Sequence, residues 1–327
     1  MNLSRRTLRL VASVIGTLAL ADCGGSGSGS TPGSLNLNLT DAPIDGATSV
    51  VVAFTGIDLQ RADGSLVSIK FPTTKSIDLL ALQNGATGAL THGAAVPAGD
   101  YEWMRLNVLA DKNVQNESYI ALASGAQYPL WIPSGAETGL KLVRPFTVAQ
   151  GSATSLLIDF NLRKSVTAPP GQDPNYILHP ALRLLDQLQV GKITANVDLA
   201  ALTTAQLGAG AAVSSCKAGL YLFSGASAMP DDQDGDTTDD GGSDPIVYEP
   251  VVYDGINTNV SITIPFVATG SYTLAATCNF DVDAADANDF APNATTGQPG
   301  FQTMKWTTVN NVSVTAGNTT DVALPAN

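Results

Sequence analysis

"SLNLNLTDAP", residues 34–43, sets Leu35, Leu37 and Leu39 against Asn36 and Asn38. A period of two is the side-chain period of a strand with one buried face, not that of a helix. Pro43 cannot donate to a ladder and closes the segment. The same grammar extends outward. "SVVVAFTGIDLQ" (49–60) puts Val50, Val52 and Phe54 on one face and then changes phase to Ile57 and Leu59, so a β-bulge is expected at Thr55-Gly56. "RADGS" (61–65) turns that strand into "LVSIKF" (66–71) as a hairpin. "TSLLIDFNL" (154–162) places Leu156, Ile158, Phe160 and Leu162 on one face. The best candidate for a short helix or helical turn is "SIDLLALQNG" (76–85), and sustained helical periodicity is absent. With 31 Gly, 18 Pro and only 14% charged residues, the chain reads as all-β, short strands joined by turns.

A length of 327 residues suits two cores. "PAGDYEWMRLNV" (97–108) parallels "ATGSYTLAATC" (268–278), a Gly turn opening a strand with an early Tyr. "FTVAQGSATSLLIDF" (146–160) parallels "VSVTAGNTTDVAL" (312–324), a hairpin on a Gly turn. Two β-sandwich modules in series, Ig-like or prealbumin-like, explain these parallels, with boundaries expected at 35–190 and 191–327. Chance likeness of short strands is the alternative.

The first 22 residues read as a leader. Arg5, Arg6 and Arg9 precede an apolar stretch from Val11 to Leu20, too short to span a bilayer as a helix. "LADC" (20–23) is similar to the lipobox of bacterial lipoproteins, in which the cysteine thiol takes a diacylglycerol; Asp22 stands where a small neutral residue is usual. Ala19-Leu20-Ala21 alternatively makes an A-x-A cleavage site that would release a soluble periplasmic protein. Cysteine arithmetic favours the lipid. Only Cys23, Cys216 and Cys278 are present, and a disulfide between the last two leaves Cys23 for acylation. The Gly/Ser-rich segment 24–34 would then be a tether of roughly 18 Å root-mean-square reach. Gly24 behind the cysteine points to the outer membrane.

Cys216 shares a face with Ala218, Leu220 and Leu222, and Cys278 with Tyr272, Leu274 and Phe280. Both thiols are expected to point into one core and to pair in an oxidising compartment. Charge is uneven. Residues 35–191 carry 10 basic and 13 acidic side chains, residues 192–327 carry 3 and 15, within a net charge of −13. That balance excludes nucleic acid as a partner.

The first module resembles a bacterial lipoprotein domain of unknown function, number 4382, through "LTDAP", "PAGDYEWMRL", "GLKLVRPFTV", "LLIDFNLRKSV" and "ILHPALRL" in order over about residues 35–186. The resemblance implies an exported, lipid-anchored, β-rich protein and brings no catalytic residues. "GKITANV", "GSYTLAA" and "VSVTAGNTTDVAL" resemble a prealbumin-like, carboxypeptidase-regulatory β-sandwich.

Chemistry-bearing patterns are sparse. His92 and His179 are the only histidines and lie at no metal-ligand spacing; no nucleophile elbow, H-E-x-x-H helix or phosphate loop is present. Asp41 and Asp159 could serve as dispersed carboxylates of a glycosidase, against a turn cap and a strand-end hydrogen bond. Trp103 and Trp131 could stack on sugars, against core or hairpin packing. In "PDDQDGDTTDDGGSD" (230–244), Asp232, Asp234, Asp236 and Asp240 fall at relative positions 1, 3, 5 and 9, with a carbonyl of Thr238 at 7. That is calcium-ligand spacing. Thr237 stands in place of the turn Gly, and Ser243 where a closing carboxylate belongs, so the alternative is a solvated acidic loop with no cofactor at all. The expected role is a lipid-anchored envelope protein that binds a glycan or protein ligand without catalysis. The alternatives are an envelope carbohydrate-active enzyme and a structural spacer.

Overall fold

The computed structural model describes residues 31–42, 44, 46–114, 117–133, 139–168, 175–179, 181–233, 242–283 and 304–325. From Thr31 onward the chain is one compact unit, and its described residues form twenty strands in four sheets.

Thirteen strands precede residue 187: β1 (Gly33–Ala42), β2 (Ala47–Arg61), β3 (Leu66–Asp78), β4 (Gly88–Val96), β5 (Gly99–Leu109), β6 (Tyr119–Leu122), β7 (Gln127–Trp131), β8 (Leu140–Leu142), β9 (Phe146–Val148), β10 (Ala153–Asn161), β11 (Val166–Thr167), β12 (Tyr176–Leu178) and β13 (Leu182–Asp186). They form one sheet in the order β13-β10-β1-β4 and a second in the order β11-β12-β7-β6-β2-β5-β8, with β3 on β2 and β9 on β5. One core lies between them. Leu35, Leu37 and Leu39 meet Val50, Val52, Phe54, Ile57 and Leu59, and Leu156, Ile158, Phe160 and Leu162 complete it.

Seven strands follow: β14 (Val190–Asp198), β15 (Ala218–Ser224), β16 (Val247–Val251), β17 (Asn259–Ala268), β18 (Gly270–Thr277), β19 (Thr307–Val314) and β20 (Thr319–Leu324). Their sheets run β17-β14-β20 and β16-β15-β18-β19 around a second core. The protein is therefore all-β, two sandwiches in one compact body.

Local sequence explains the irregularities. The pairing of β2 with both β3 and β5 slips between Phe54 and Gly56, where the apolar phase changes. Gly64 (φ 85°) permits the turn that joins β2 to β3. The helical turn in "SIDLLALQNG" is a single 3-10 turn over Leu79–Leu82, capped by Asp78, whose carboxylate accepts from Leu80 N.

One helix departs from the sequence expectation. Leu199–Leu207 is α-helical, opened by Asp198 accepting from Ala200 N and Ala201 N and closed at Gly208 (φ 99°). "LAALTTAQL" is nearly apolar all round and shows no stripe. Its burial at Leu199, Leu202, Thr203 and Gln206 is nonetheless a one-face spacing. The cap residues were the legible signal.

The two sandwiches repeat one design down to single contacts. Tyr101 Oη donates to Pro97 O and Tyr272 Oη to Ala268 O, both four residues back and both at 2.7 Å. Each module's first strand pairs in parallel with the strand that follows its Gly turn, β1 with β10 and β14 with β20. Neither turn makes the expected hairpin, because β9 pairs with β5 and β19 with β18, so each turn carries the chain from one sheet to the other. Gly151 N donates to Pro32 O and Gly317 N to Val190 O. A Cβ on Gly33 would stand 2.5 Å from Ala149 O, and one on Gly191 2.5 Å from Thr315 O. Only Gly allows that approach of backbones. Such matched detail is duplication of a sandwich, not chance likeness of strands.

Cys216 and Cys278 form a disulfide, with Cα atoms 4.5 Å apart. It joins the chain before β15 to the end of β18, beside the Gly219–Thr277 pair. Both residues lie in the second core.

Candidate functional site

Asn161 ends β10 and caps a one-turn helix, Leu162–Ser165, by accepting from Lys164 N. That turn projects Arg163 into the second sandwich. Its guanidinium lies 5.1 Å from the ring centre of Tyr248 and 4.9 Å from that of Phe280. It donates to Asp283 O, and Nη1 stands 3.6 Å from Asp283 Oδ2. The Arg163 side chain is 9% exposed and that of Asp283 0%. Tyr221 Oη and Gln233 N both donate to the Asp283 carboxylate. Burial, and then the Asp283 charge, drive the Tyr221 hydroxyl far above its ordinary pKa, so it remains a donor. The result is a buried, charge-assisted junction packed in aromatic rings.

Beside this junction runs a cleft between the sandwiches. The ends of β1 and β10 bring Asp41 and Asp159 to it, β13 brings Arg183, and β16 brings Glu249. Arg183 Nε donates to Asp159 Oδ2 at 2.9 Å, and Nη2 donates to the same oxygen. The free space holds about a water molecule and no sugar ring. Glu249 is half-buried. Burial first, then the charge of Asp159, push its carboxyl up to about 7.

A raised acid pKa means that the folded state holds a proton the unfolded chain has already lost. Stability attributable to Glu249 is therefore full below about pH 4.5 and declines as pH rises toward 7. Glu249→Gln is expected to leave the melting temperature unchanged at pH 4.5 and to stabilise by about 2 kcal/mol at pH 8. Equal effects at both pH values in a thermal-melt series would refute this.

The outer face of the larger first-module sheet carries a different chemistry. In strand register, Ser68, Asp58, Arg105 and Lys141 lie in one row across β3, β2, β5 and β8. Ser68 Oγ donates to Asp58 Oδ1 at 2.6 Å, and Arg105 Nη2 to Asp58 Oδ2 at 3.0 Å. Partial burial tends to raise the Asp58 pKa, but hydrogen bonds from Ser68, Asn107 and Arg105 outweigh it and hold the carboxyl below its usual value. The next row pairs Leu66 with Gln60 and Gln60 with Trp103. Lys141 Nζ lies 4.3 Å and Arg105 Cζ 5.6 Å from the Trp103 ring centre.

Residues 32–180 match the domain of unknown function DUF4382. The match covers the first sandwich from β1 through β12, stops short of β13, and includes Asp41, Asp58, Trp103, Arg105, Lys141, Asp159 and Arg163. No curated protein sequence matches the chain. Among solved structures it is similar to a leucine-rich repeat protein from Bacteroides thetaiotaomicron at 12% identity and TM-score 0.22, covering 91% of this chain and 26% of that one. The chain thus spans about a quarter of that protein's length. A candidate cell adhesion protein from Bacteroides eggerthii is similar at 12% identity and TM-score 0.24, over 91% and 88%. The minor pilin of Streptococcus agalactiae is similar at 11% and TM-score 0.19, over 89% and 94%. At these scores the likenesses carry no argument about this chain.

The DUF4382 segment brings Asp41 and Asp159 together at the cleft, where Asp159 pairs with Arg183 instead of standing free as a base. Trp103 and Trp131 are half-buried and belong to no buried core, so of core or hairpin packing the core is ruled out; Lys112 Nζ lies 4.9 Å over Trp131. His92 and His179 are exposed and lie on separate segments. In the acidic loop Asp231, Asp232 and Gln233 are buried rather than solvated. Asp234, Asp236, Thr238 and Asp240 lie outside the described residues, as does Cys23. Among the described residues no group of three or more His, Cys, Asp or Glu could hold a metal, and no helix is long and apolar enough to cross a membrane. The residues missed by sequence reasoning are Arg163, Asp283 and Glu249. A charged residue one position behind a strongly apolar strand was the only signal for the first.

Proposed function

We propose that the protein is an exported, lipid-anchored component of the bacterial envelope, most consistent with the outer membrane, that binds or supports without catalysis. The observation that carries this reading is the buried Arg163–Asp283 junction. It makes a stiff double sandwich out of two modules, and stiffness behind a flexible tether suits presentation of a surface. The Cys216–Cys278 disulfide supports an oxidising compartment, and "LADC" supports acylation at Cys23.

Cys23→Ala is expected to move the protein from the membrane fraction to the soluble one. Mass spectrometry finding an unmodified N-terminus at Asp22 in the wild type would overturn lipid anchoring. Saturable retention on envelope material without product is the expected binding result. Release of reducing ends from envelope polysaccharide would instead establish the enzyme reading.

Calcium binding by Asp232, Asp234, Asp236, Thr238 and Asp240 belongs to the same proposal and rests on their spacing. With Thr237 at the turn position, affinity is expected in the range of about 10⁻⁴–10⁻³ M. Calorimetric titration of the protein with calcium, and of its Asp234→Ala/Asp236→Ala variant, checks it; no heat at several millimolar would remove calcium from the account.

A further inference from the structure

The register of the outer sheet face sorts its side chains into two bands. Leu66 and Trp103 lie in one row, and Val143 follows β8 where that row continues, one residue beyond the Met104–Leu142 pair. Leu66 is 50% and Val143 75% exposed. The adjoining row holds Arg105 and Lys141, directly opposite one another on β5 and β8. Two like charges in that position repel. Asp58 compensates one of them, and the Trp103 ring lies beside both. Lys70, exposed on the same face of β3, pairs with Gly56 in the row beyond. The face thus offers aromatic and aliphatic side chains beside excess positive charge, in a chain of net charge −13.

Its position relative to the chain entry is the second observation. Gly151 N donates to Pro32 O, and Ser34 N to Ser152 O, so the described chain begins at the turn between β9 and β10. Strand β9 pairs with Gly99–Tyr101 of β5, and the Phe146 and Tyr101 rings stack 5.0 Å apart. Trp103 is two residues further along β5. Whatever anchors residue 23 therefore holds this end of the sheet within a short tether of its anchor.

We propose that the Leu66–Trp103–Val143 band and its Lys70, Arg105 and Lys141 neighbours rest on the surface of an anionic lipid bilayer, the one to which the tether is anchored. Trp with aliphatic side chains enters the headgroup boundary, and Lys and Arg meet the lipid phosphates. Aliphatic residues as exposed as Leu66 and Val143 suit that boundary better than a hydrated sugar. The patch is weak alone, and tethering raises its effective concentration to the millimolar range. This inference rests on the lipid-anchored reading of Cys23.

The test uses the acylated mature protein reconstituted into vesicles. In vesicles containing phosphatidylglycerol, brominated lipid is expected to quench tryptophan fluorescence, and Trp103→Phe to abolish that quenching while Trp131 and Trp306 remain. Lys141→Glu is expected to weaken the docked fraction about fivefold, with a similar loss in phosphatidylcholine vesicles or high salt. Quenching unchanged in Trp103→Phe, or Trp103 reached by aqueous acrylamide and not by brominated lipid, overturns the proposal. Protection of Trp103 by soluble polygalacturonate in its place assigns the face to an acidic glycan and also overturns it. Failure to reconstitute, with an unacylated N-terminus, instead refutes the anchoring reading, so the two failures are distinguishable.

Discussion

Replacing Arg163 by alanine is expected to destabilise the protein by about 3–5 kcal/mol, because it leaves the Asp283 charge buried without its cation. The loss is specific to the junction. Asp283 is fully buried, and Tyr221 Oη and Gln233 N cannot neutralise it. The Tyr248 and Phe280 rings would also lose the cation between them. Calorimetry should show the first and second sandwiches melting apart where the wild type melts as one, and limited proteolysis should cut between residues 187 and 190. The companion Arg163→Met/Asp283→Asn should recover most of the loss, since it removes both charges and keeps an acceptor for Tyr221 and Gln233. A single variant within 1 kcal/mol of wild type in a denaturant titration, or a double variant as unstable as the single, would show that the pair does not hold the modules together.

Removing the disulfide by Cys216→Ala/Cys278→Ala is expected to cost about 4 kcal/mol in the chain-entropy model, for a sequence separation of 62 residues. The second sandwich bears the loss. Cys278 N donates to Gln206 Oε1, and Gln206 Nε2 donates to Ala276 O, so the helix over Leu199–Leu207 is held at the same strand end. Urea unfolding should show the second core melting first in the variant, and reductant should reproduce the effect in the wild type. If both cysteines of the wild type prove alkylatable after unfolding without reductant, the bridge is absent.

Much of the fold is written locally. Alternation in "SLNLNLTDAP" and "TSLLIDFNL" identifies two strands, and both enter the core with the expected side chains buried. The phase change at Thr55-Gly56 marks the bulge, since a period of two cannot survive one inserted residue. The Gly turns of 97–108 and 268–278 mark the duplication. The helix over Leu199–Leu207 escaped that reading because Ala and Thr at its outer positions leave no contrast for a period to show.

The site is legible only in part, and the division has a physical basis. Sequence by itself determined which faces are apolar, that Cys216 and Cys278 turn toward a core, and that Asp41 and Asp159 lie near strand ends. Each is a statement about a residue and its near neighbours along one strand, where geometry is set by the backbone period. Tertiary structure alone decided that Arg163 meets Asp283, 120 residues away. It alone decided that Glu249 faces Asp159, and that Ser68, Asp58, Arg105 and Lys141 share a row. Those relations depend on strand order and register between distant segments, and a one-residue slip in register would scatter every one of them.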